Sequence, residues 1–193
     1  MSVHLTRSNA INFHVPRTGG TWVHKAMINA GIELTTFHPQ GFPHSTYQDE
    51  PIEGKFIFAF IRHPFAWYES YYHYRVSSGW EQNWWLDNHC NRDTFEQFLQ
   101  SVIKLQVPYL TNLYNEHLGK PIVMSFIGTQ EHVVDDLVHV LKLIKEDFDE
   151  EKLRNTPRQH VGQIKKQSVS QELKDKLLSL ETEALKLWEK YYE

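Results

Sequence analysis

A short segment near the start of the chain carries residue types that bind phosphate or sulfate. It runs from Pro16 to Trp22 and reads PRTGGTW. Its two glycines would let the backbone approach a ligand closely, and its threonines and arginine donate hydrogen bonds to anionic oxygens. A helix that begins here would add unpaired N–H groups and a partial positive charge. The segment predicts an anion pocket, with a plain strand–turn–helix corner as the alternative. It is not a Walker A loop, because the Gly-Lys-Ser/Thr ending is missing.

Another candidate lies at Arg62-His63-Pro64, with Ser70 eight residues after the arginine. Arg62 follows a nearly continuous apolar run over 55–61, and a full charge at the end of a buried strand needs an anionic partner. Ser70 falls about two turns into the following helix and could contact the same anion. The alternative is a structural carboxylate that pairs with Arg62, with Ser70 as a surface hydroxyl.

Both segments follow predicted strands. Alternating apolar residues predict a short strand over 10–15, and a helix over 22–30 follows it. The run 55–61 predicts a strand covered on both faces, as in a parallel sheet. Pro64 suits the first turn of a helix that reaches about Val76. Strands that alternate with helices indicate an α/β fold with a parallel sheet, in which ligands bind at the carboxyl ends of strands.

The rest of the chain continues the alternation. A strand over 33–37 precedes a loop rich in proline and glycine, and the polar, tryptophan-rich stretch 77–92 is an insertion or a lid. We expect one domain over 1–193, because single domains usually have roughly 100–200 residues. Three helices and one strand complete the prediction: a helix opened by the capping box Asp93-Thr-Phe-Glu96, a strand over 121–126, a helix capped by Thr129 and, after an irregular stretch over 147–167, a final helix capped by Ser170.

Composition excludes several classes of function. The net charge of −4 gives no general attraction to nucleic acid or to anionic membranes. The single cysteine, Cys90, excludes an intrachain disulfide and a cysteine-rich metal site, and no His-Glu-x-x-His spacing indicates a metal. No run of about 18 apolar residues predicts a membrane span, and the polar segment that begins at Met1 lacks the apolar stretch of a signal peptide. We therefore expect a cytoplasmic protein.

The two segments, in this order and at this distance, resemble the sulfotransferase superfamily that uses 3′-phosphoadenosine 5′-phosphosulfate (PAPS). The segment 16–22 is similar to the 5′-phosphosulfate loop of that superfamily, Pro-Lys/Arg-Thr/Ser-Gly-x-Thr-Trp. The segment that begins at Arg62 is similar to its 3′-phosphate element, Arg-x-Pro with a serine eight residues after the arginine. Weaker similarity continues at 126–132 and in the C-terminal helix. The resemblance implies a three-layer, P-loop-like fold with a central parallel sheet flanked by helices. It also implies sulfuryl transfer from PAPS to a hydroxyl or amine acceptor, with 3′-phosphoadenosine 5′-phosphate (PAP) as product.

The resemblance also assigns roles to single residues. Arg62 and Ser70 would bind the 3′-phosphate. Trp22 would stack on adenine, although packing in the core is the alternative. Many members have lysine where this chain has Arg17, and because arginine does not readily give up a proton, Arg17 would instead stabilise charge on the bridging oxygen. The residues that would hold the 5′-phosphosulfate are Arg17, Thr18, Gly19, Gly20 and Thr21.

Transfer also needs a base that removes the proton of the acceptor. The superfamily usually places a histidine or glutamate base before the Arg-x-Pro strand. His44 is the first candidate and His38 the second, since the histidine pKa suits a base at neutral pH. Glu33 and Glu50 are carboxylate alternatives.

The acceptor itself is left open among glycans, phenols, lipids and peptides. The loop Trp80 to Trp85 could stack on a sugar or an aromatic acceptor, or pack as a lid. Lys165 and Lys166 could reach the nucleotide phosphates, or form a solvated basic stretch. Two other functions compete with sulfuryl transfer. A P-loop small-molecule kinase is disfavoured by the missing Gly-Lys-Ser/Thr and Mg²⁺-binding aspartate. A non-catalytic nucleotide-binding protein would keep the two arginines but not turn over.

Overall fold

A computed structural model describes residues 2–37, 45–158 and 168–192 of the chain. It contains one mixed sheet of five strands, in the order β3-β1-β2-β4-β5. Neighbours β2, β4 and β5 run parallel, whereas β1 is antiparallel to both β2 and β3. The strands are β1 Ser2–Leu5, β2 Ala10–Phe13, β3 Leu34–Phe37, β4 Phe56–Ile61 and β5 Phe126–Thr129.

The α/β class is confirmed, but the prediction of a wholly parallel sheet is wrong. Strand β1 was not predicted, and it inserts antiparallel between β2 and β3. Four residues carry too little periodicity to indicate a strand on their own. The tight turn to β2, in which Asn9 has a φ of 51°, makes the antiparallel pair. The parallel arrangement holds where both predicted anion segments leave the sheet.

Helices cover both faces of the sheet. On β4, Ile57, Ala59 and Ile61 face one apolar core, while Phe58 and Phe60 face another. This burial on both sides gives three layers and explains why the strand is almost continuously apolar. The helices in the described part of the chain are α1 Gly20–Asn29, α2 Pro64–Ser78, α3 Trp85–His89, α4 Phe95–Leu105, α5 Tyr109–Leu118, α6 Val133–Leu143, α7 Glu150–Arg154, α8 Gln171–Leu180 and α9 Thr182–Tyr192.

Two predicted boundaries shift. The strand expected over 121–126 is found at β5, and Thr129 ends that strand instead of capping a helix. The backbone N–H of Thr129 donates to the Asp136 carboxylate at 2.7 Å, so the loop and the first turns of α6 are tied together. The capping box is displaced by one residue: the hydroxyl of Thr94 accepts from the N–H of Gln97, so Thr94 and not Asp93 caps α4. The short helix α7 lies within the stretch predicted to be irregular.

The predicted final helix is two helices, α8 and α9, which are separated at Glu181. Ser170 caps α8 as predicted, accepting from the N–H of Leu173. Glu181 is fully buried, and its carboxylate accepts from the backbone N–H groups of Leu110 and Thr111, each at 2.9 Å. A carboxylate there satisfies the free N–H groups at the start of α5. Helix α5, which the sequence pattern did not predict, therefore depends on the α8–α9 junction for its cap.

In the described ranges, no helix is long and apolar enough to cross a membrane.

Candidate functional site

Three loops meet at one edge of the sheet. Because β2, β4 and β5 are parallel neighbours, their carboxyl ends lie side by side, and each leads into a helix: α1, α2 and α6. The N–H of Gln130 donates to the carbonyl of Ile61 at 2.7 Å, and the indole N–H of Trp67 donates to the carbonyl of Pro16 at 2.8 Å. The fold thus brings together the two segments that the sequence singled out.

The first loop has a backbone that its glycines make possible. Gly19 is the N-cap of α1 with φ of 93°, in the left-handed region, and offers no side chain to the free N–H groups of the first turn. A Cβ on Gly20 would lie 2.1 Å from the ring of His14, so no other residue fits without displacing the ring. The hydroxyl of Thr18 is buried and donates to the carbonyl of Val15 at 2.8 Å, which closes the loop. The start of α1 is left facing the site with N–H groups and no carboxylate in its first turn.

Arg17 and Arg62 lie next to each other across the two loops. The guanidinium of Arg17 donates to Oγ of Ser70 from Nη2 at 2.9 Å and from Nε at 3.3 Å. Arg62 donates from Nη1 to the backbone carbonyl of Arg17 at 3.3 Å. Among the ion pairs of residues 2–37, 45–158 and 168–192, none includes either arginine. In the same ranges, the buried Nε of Arg62 has no hydrogen-bond partner.

The electrostatics of this pair favour an added anion. Burial lowers the pKa of Arg17 to about 10, and the nearby charge of Arg62 contributes to that fall. Burial also lowers the pKa of Arg62, while the charge of Glu131 opposes that shift. Like charges that are partly removed from water are costly, and an anion between them would relieve that cost. An anion at this position would therefore be stabilised by both arginines.

Two residues that the sequence analysis missed hold the Arg62 loop. The hydroxyl of Tyr114 accepts from the N–H of Arg62 at 2.9 Å and donates to its carbonyl at 2.8 Å. Glu131 accepts from the N–H of His63 and from the indole N–H of Trp188, both at 3.1 Å. Glu131 lies within the weakly similar segment 126–132, which could have drawn attention to it. No local pattern marks Tyr114, because its helix was not predicted.

Trp22 and Thr21 differ sharply in exposure. Trp22 is only 6% exposed, and its indole N–H donates to the carbonyl of Thr156 at 3.1 Å. The indole thus packs in the core, which was the alternative to adenine stacking; its contact with a nucleotide stays a prediction. Thr21 is exposed in the first turn of α1, close to the N-cap Gly19.

Two of the four base candidates lie outside the described residues. His38 and His44 are not among them, and neither are Lys165 and Lys166. Glu33 and Glu50 are described. Glu33 is exposed. Glu50 is buried, and its carboxylate binds the hydroxyl of Ser2 and the ring of His4. Glu50 therefore already has two partners, whereas Glu33 is on the surface.

The tryptophan-rich loop is packed on the protein over much of its length. Trp80 contacts the ring of Tyr72 with centroids 5.8 Å apart, and Trp85 stacks on Tyr109 at the same separation. Trp84 lies over the guanidinium of Arg75 at 5.0 Å. These contacts fit the lid interpretation, while stacking on an acceptor stays a prediction.

Within the described ranges, no group of three or more histidine, cysteine, aspartate or glutamate side chains could hold a metal ion. Comparison with known proteins gives no relative: no family model matches the chain, and no curated protein or solved structure is significantly similar to it. The functional assignment therefore depends on the residues at the sheet edge.

Proposed function

We propose that this chain is a PAPS-dependent sulfotransferase with a P-loop-like fold. The observation that carries the proposal is the pair Arg17 and Arg62, which follow two adjacent parallel strands and have no carboxylate within ion-pair distance in the described ranges. Two partly buried cations that form no ion pair in the described ranges would be stabilised by an external anion. PAPS carries anionic groups at both its 5′ and 3′ positions, so one molecule would supply a partner for each arginine.

The chemistry assigned to the site is in-line transfer. The acceptor oxygen or nitrogen forms a bond to sulfur, while the bond from sulfur to the bridging oxygen breaks and its electron pair stays on PAP. The loop 16–22 and the start of α1 would bind the 5′-phosphosulfate, and Arg62 with Ser70 would bind the 3′-phosphate. Arg17 would stabilise the negative charge that grows on the bridging oxygen. The acceptor proton would pass to a base, for which His44 and His38 are the candidates.

Ligand-dependent stabilisation tests the nucleotide assignment. PAP at about a hundred times its Kd should stabilise the native state by about 2.7 kcal/mol and raise the Tm by several degrees. ATP with Mg²⁺ should raise it far less. The variant Arg7→Ala should show the same shift with PAP as the unmodified protein, because Arg7 is exposed, pairs with Asp147 and lies at the opposite end of β2 from the site. A greater shift with ATP and Mg²⁺ than with PAP would indicate a kinase and overturn the proposal.

Transfer of labelled sulfate then separates an enzyme from a binding protein. The labelled donor is PAPS, and the acceptors are glycans, phenols, lipids and peptides, with carbohydrates included because of the aromatic loop. Appearance of label in any one class supports the proposal and identifies the acceptor. PAP binding without transfer to any class would indicate a non-catalytic nucleotide-binding protein.

A further inference from the structure

Helix α2 holds the guanidinium of Arg17 from two sides. Ser70 and Tyr74 are four residues apart on this helix, so their side chains lie one turn apart on the same face. Oγ of Ser70 accepts two hydrogen bonds from the edge of the guanidinium. The ring of Tyr74 lies under its face, 4.4 Å from Cζ to the ring centroid. A hydroxyl and an aromatic ring therefore fix both the direction and the plane of the charged group.

These partners hold the charge without neutralising it. A carboxylate in the same place would position Arg17 equally well but would compete with an incoming anion. The ring and the hydroxyl are both uncharged, so the positive charge stays available to a ligand. Arg17 also has a φ of 65°, in the left-handed region that residues other than glycine rarely adopt. The backbone conformation thus directs the side chain toward α2, where Tyr74 and Ser70 receive it.

We propose that Tyr74 is a positioning residue that holds Arg17 in the orientation needed for sulfuryl transfer. The inference rests on the proposed function. Tyr74 acts through Arg17 and not by contact with the nucleotide. Ser70 completes the arrangement: its oxygen accepts from Arg17, and its own proton remains free to be donated to a 3′-phosphate.

The charged surroundings of Tyr74 support this assignment. Arg75 lies 5.5 Å from the same ring, but its charge is offset by Asp87 at 3.0 Å and Glu81 at 2.8 Å. Of these two cations, Arg17 is the nearer to the ring, at 4.4 Å. Tyr74 is 40% exposed, and of the two cations at its ring only Arg75 forms ion pairs in the described ranges.

The kinetic test compares Tyr74→Leu with Tyr74→Phe. Loss of a cation–π contact should lower kcat about three- to thirtyfold in Tyr74→Leu, with less than about a threefold change in the KM for PAPS. Tyr74→Phe keeps the ring and should restore most of the activity. Val76→Ala, at another exposed position of α2, controls for disturbance of the helix. In an Arg17→Ala background, Tyr74→Leu should have no further effect on kcat. Equal kcat losses in the Leu and Phe variants, or additive losses with Arg17→Ala, would overturn the inference.

An NMR measurement does not depend on turnover. The Nε–H of Arg17 can be followed by its resonance and assigned by the loss of that resonance in Arg17→Lys. Its exchange with solvent should be slowed in the native protein and in Tyr74→Phe, and faster in Tyr74→Leu. Unchanged exchange in Tyr74→Leu would show that the ring does not hold Arg17. If PAP fails to bind while exchange responds as expected, the proposed function fails but the contact between Tyr74 and Arg17 does not. If PAP binds but exchange is unchanged in Tyr74→Leu, the positioning role of Tyr74 fails while the proposed function does not.

Discussion

Two arginines contact the ring of Tyr74, but Arg75 is paired with carboxylates, whereas the direct partners of Arg17 are uncharged. The side chain of Arg75 is 2% exposed, and its Nε is 3.0 Å from the fully buried carboxylate of Asp87. Its Nη1 is 2.8 Å from Glu81. Asp87 also accepts from the hydroxyl of Tyr71 at 2.6 Å and from the N–H of Glu81 at 2.8 Å. In this network the cation and the anions are both supplied by the chain.

At the sheet edge, in contrast, the direct partners of both arginines in the described ranges are uncharged, and Glu131 acts on Arg62 only through its charge at longer range. Arg17 contacts a hydroxyl and a ring, and Arg62 contacts a backbone carbonyl. The pKa values differ accordingly. Burial lowers the pKa of Arg75, but hydrogen bonds with Tyr71 and Glu81 outweigh it and the pKa rises, whereas that of Arg17 falls to about 10. A buried cation that is paired internally contributes to structure, while cations left without a carboxylate predict a ligand.

The largest effect should come from breaking the paired network. Arg75→Met would leave Asp87 buried without its cation, which should cost about 3–5 kcal/mol of unfolding free energy and lower the Tm by about 10 °C. Urea unfolding and thermal melts measure it. Arg7→Met is the control, because both partners of that ion pair are exposed and it should change stability by less than about 1 kcal/mol. Equal stability of the two variants would contradict the distinction between the regions.

Arg17→Ala tests the catalytic side of the comparison. An interaction that strengthens in the transition state is read in kcat, so the variant should lose about a hundredfold or more in kcat at saturating PAPS. PAP affinity should fall less, because the N–H groups of the loop remain. Arg17→Lys should keep substantial activity, since lysine brings the same charge and can donate a proton. A higher KM for PAPS with kcat unchanged would make Arg17 a binding residue only.

Arg62→Ala separates the two ends of the nucleotide. Loss of a charge-assisted contact should weaken PAP by roughly ten- to hundredfold. Adenosine 5′-phosphosulfate lacks the 3′-phosphate, and its binding should change much less. Calorimetric titration of both ligands into the native protein and the variant provides the measurement. Equal weakening would show that Arg62 does not recognise the 3′-phosphate.

The parts of this site that the sequence predicted are those encoded by local patterns. The apolar run that became β4 and the glycines at the start of α1 specify strand ends and a helix start within a few residues. Because the loops after β2 and β4 were expected at the carboxyl ends of parallel strands, Arg17 and Arg62 were expected at one edge, and the structure places them there. The sequence also placed Ser70 on the helix that follows Arg62, but the contact of Ser70 with Arg17 was not predicted.

The parts that escaped prediction depend on contacts distant in sequence. Tyr114 binds the backbone of Arg62 from a helix that has no side-chain cap of its own and relies on Glu181. Strand β1 gains its hydrogen bonds only from neighbours on both sides. Tyr74 could have been found from its spacing to Ser70, but only after Arg17 was known to cross to α2. Long-range packing decides such features, so no window of sequence shows them.

The smallest expected effect concerns the stability of the ligand-free protein. Arg17→Met removes one of two adjacent cations and leaves no buried carboxylate behind, so the unfolding free energy should stay equal or rise by up to about 1 kcal/mol, a Tm increase of about 2–4 °C. The sign follows from the pKa. Burial lowers the pKa of Arg17 in the folded protein to about 10, well below its value in the unfolded chain, so the cation costs stability at neutral pH. Between those values the unfolded chain binds more protons, and native stability rises with pH.

The advantage of Arg17→Met should therefore shrink as the pH is raised through about 10, where Arg17 in the native protein begins to lose its charge. Thermal melts of both proteins at about pH 7.5 and about pH 10.5, on either side of that pKa and with Arg7→Met as the reference for general effects of alkali, measure this difference. Saturating PAP should reverse the order at neutral pH, since an anion bound beside Arg17 stabilises the wild-type protein more than the Arg17→Met variant. A loss of several kcal/mol in the ligand-free variant would mean that Arg17 is paired inside the fold as Arg75 is, and the contrast between the two regions would disappear.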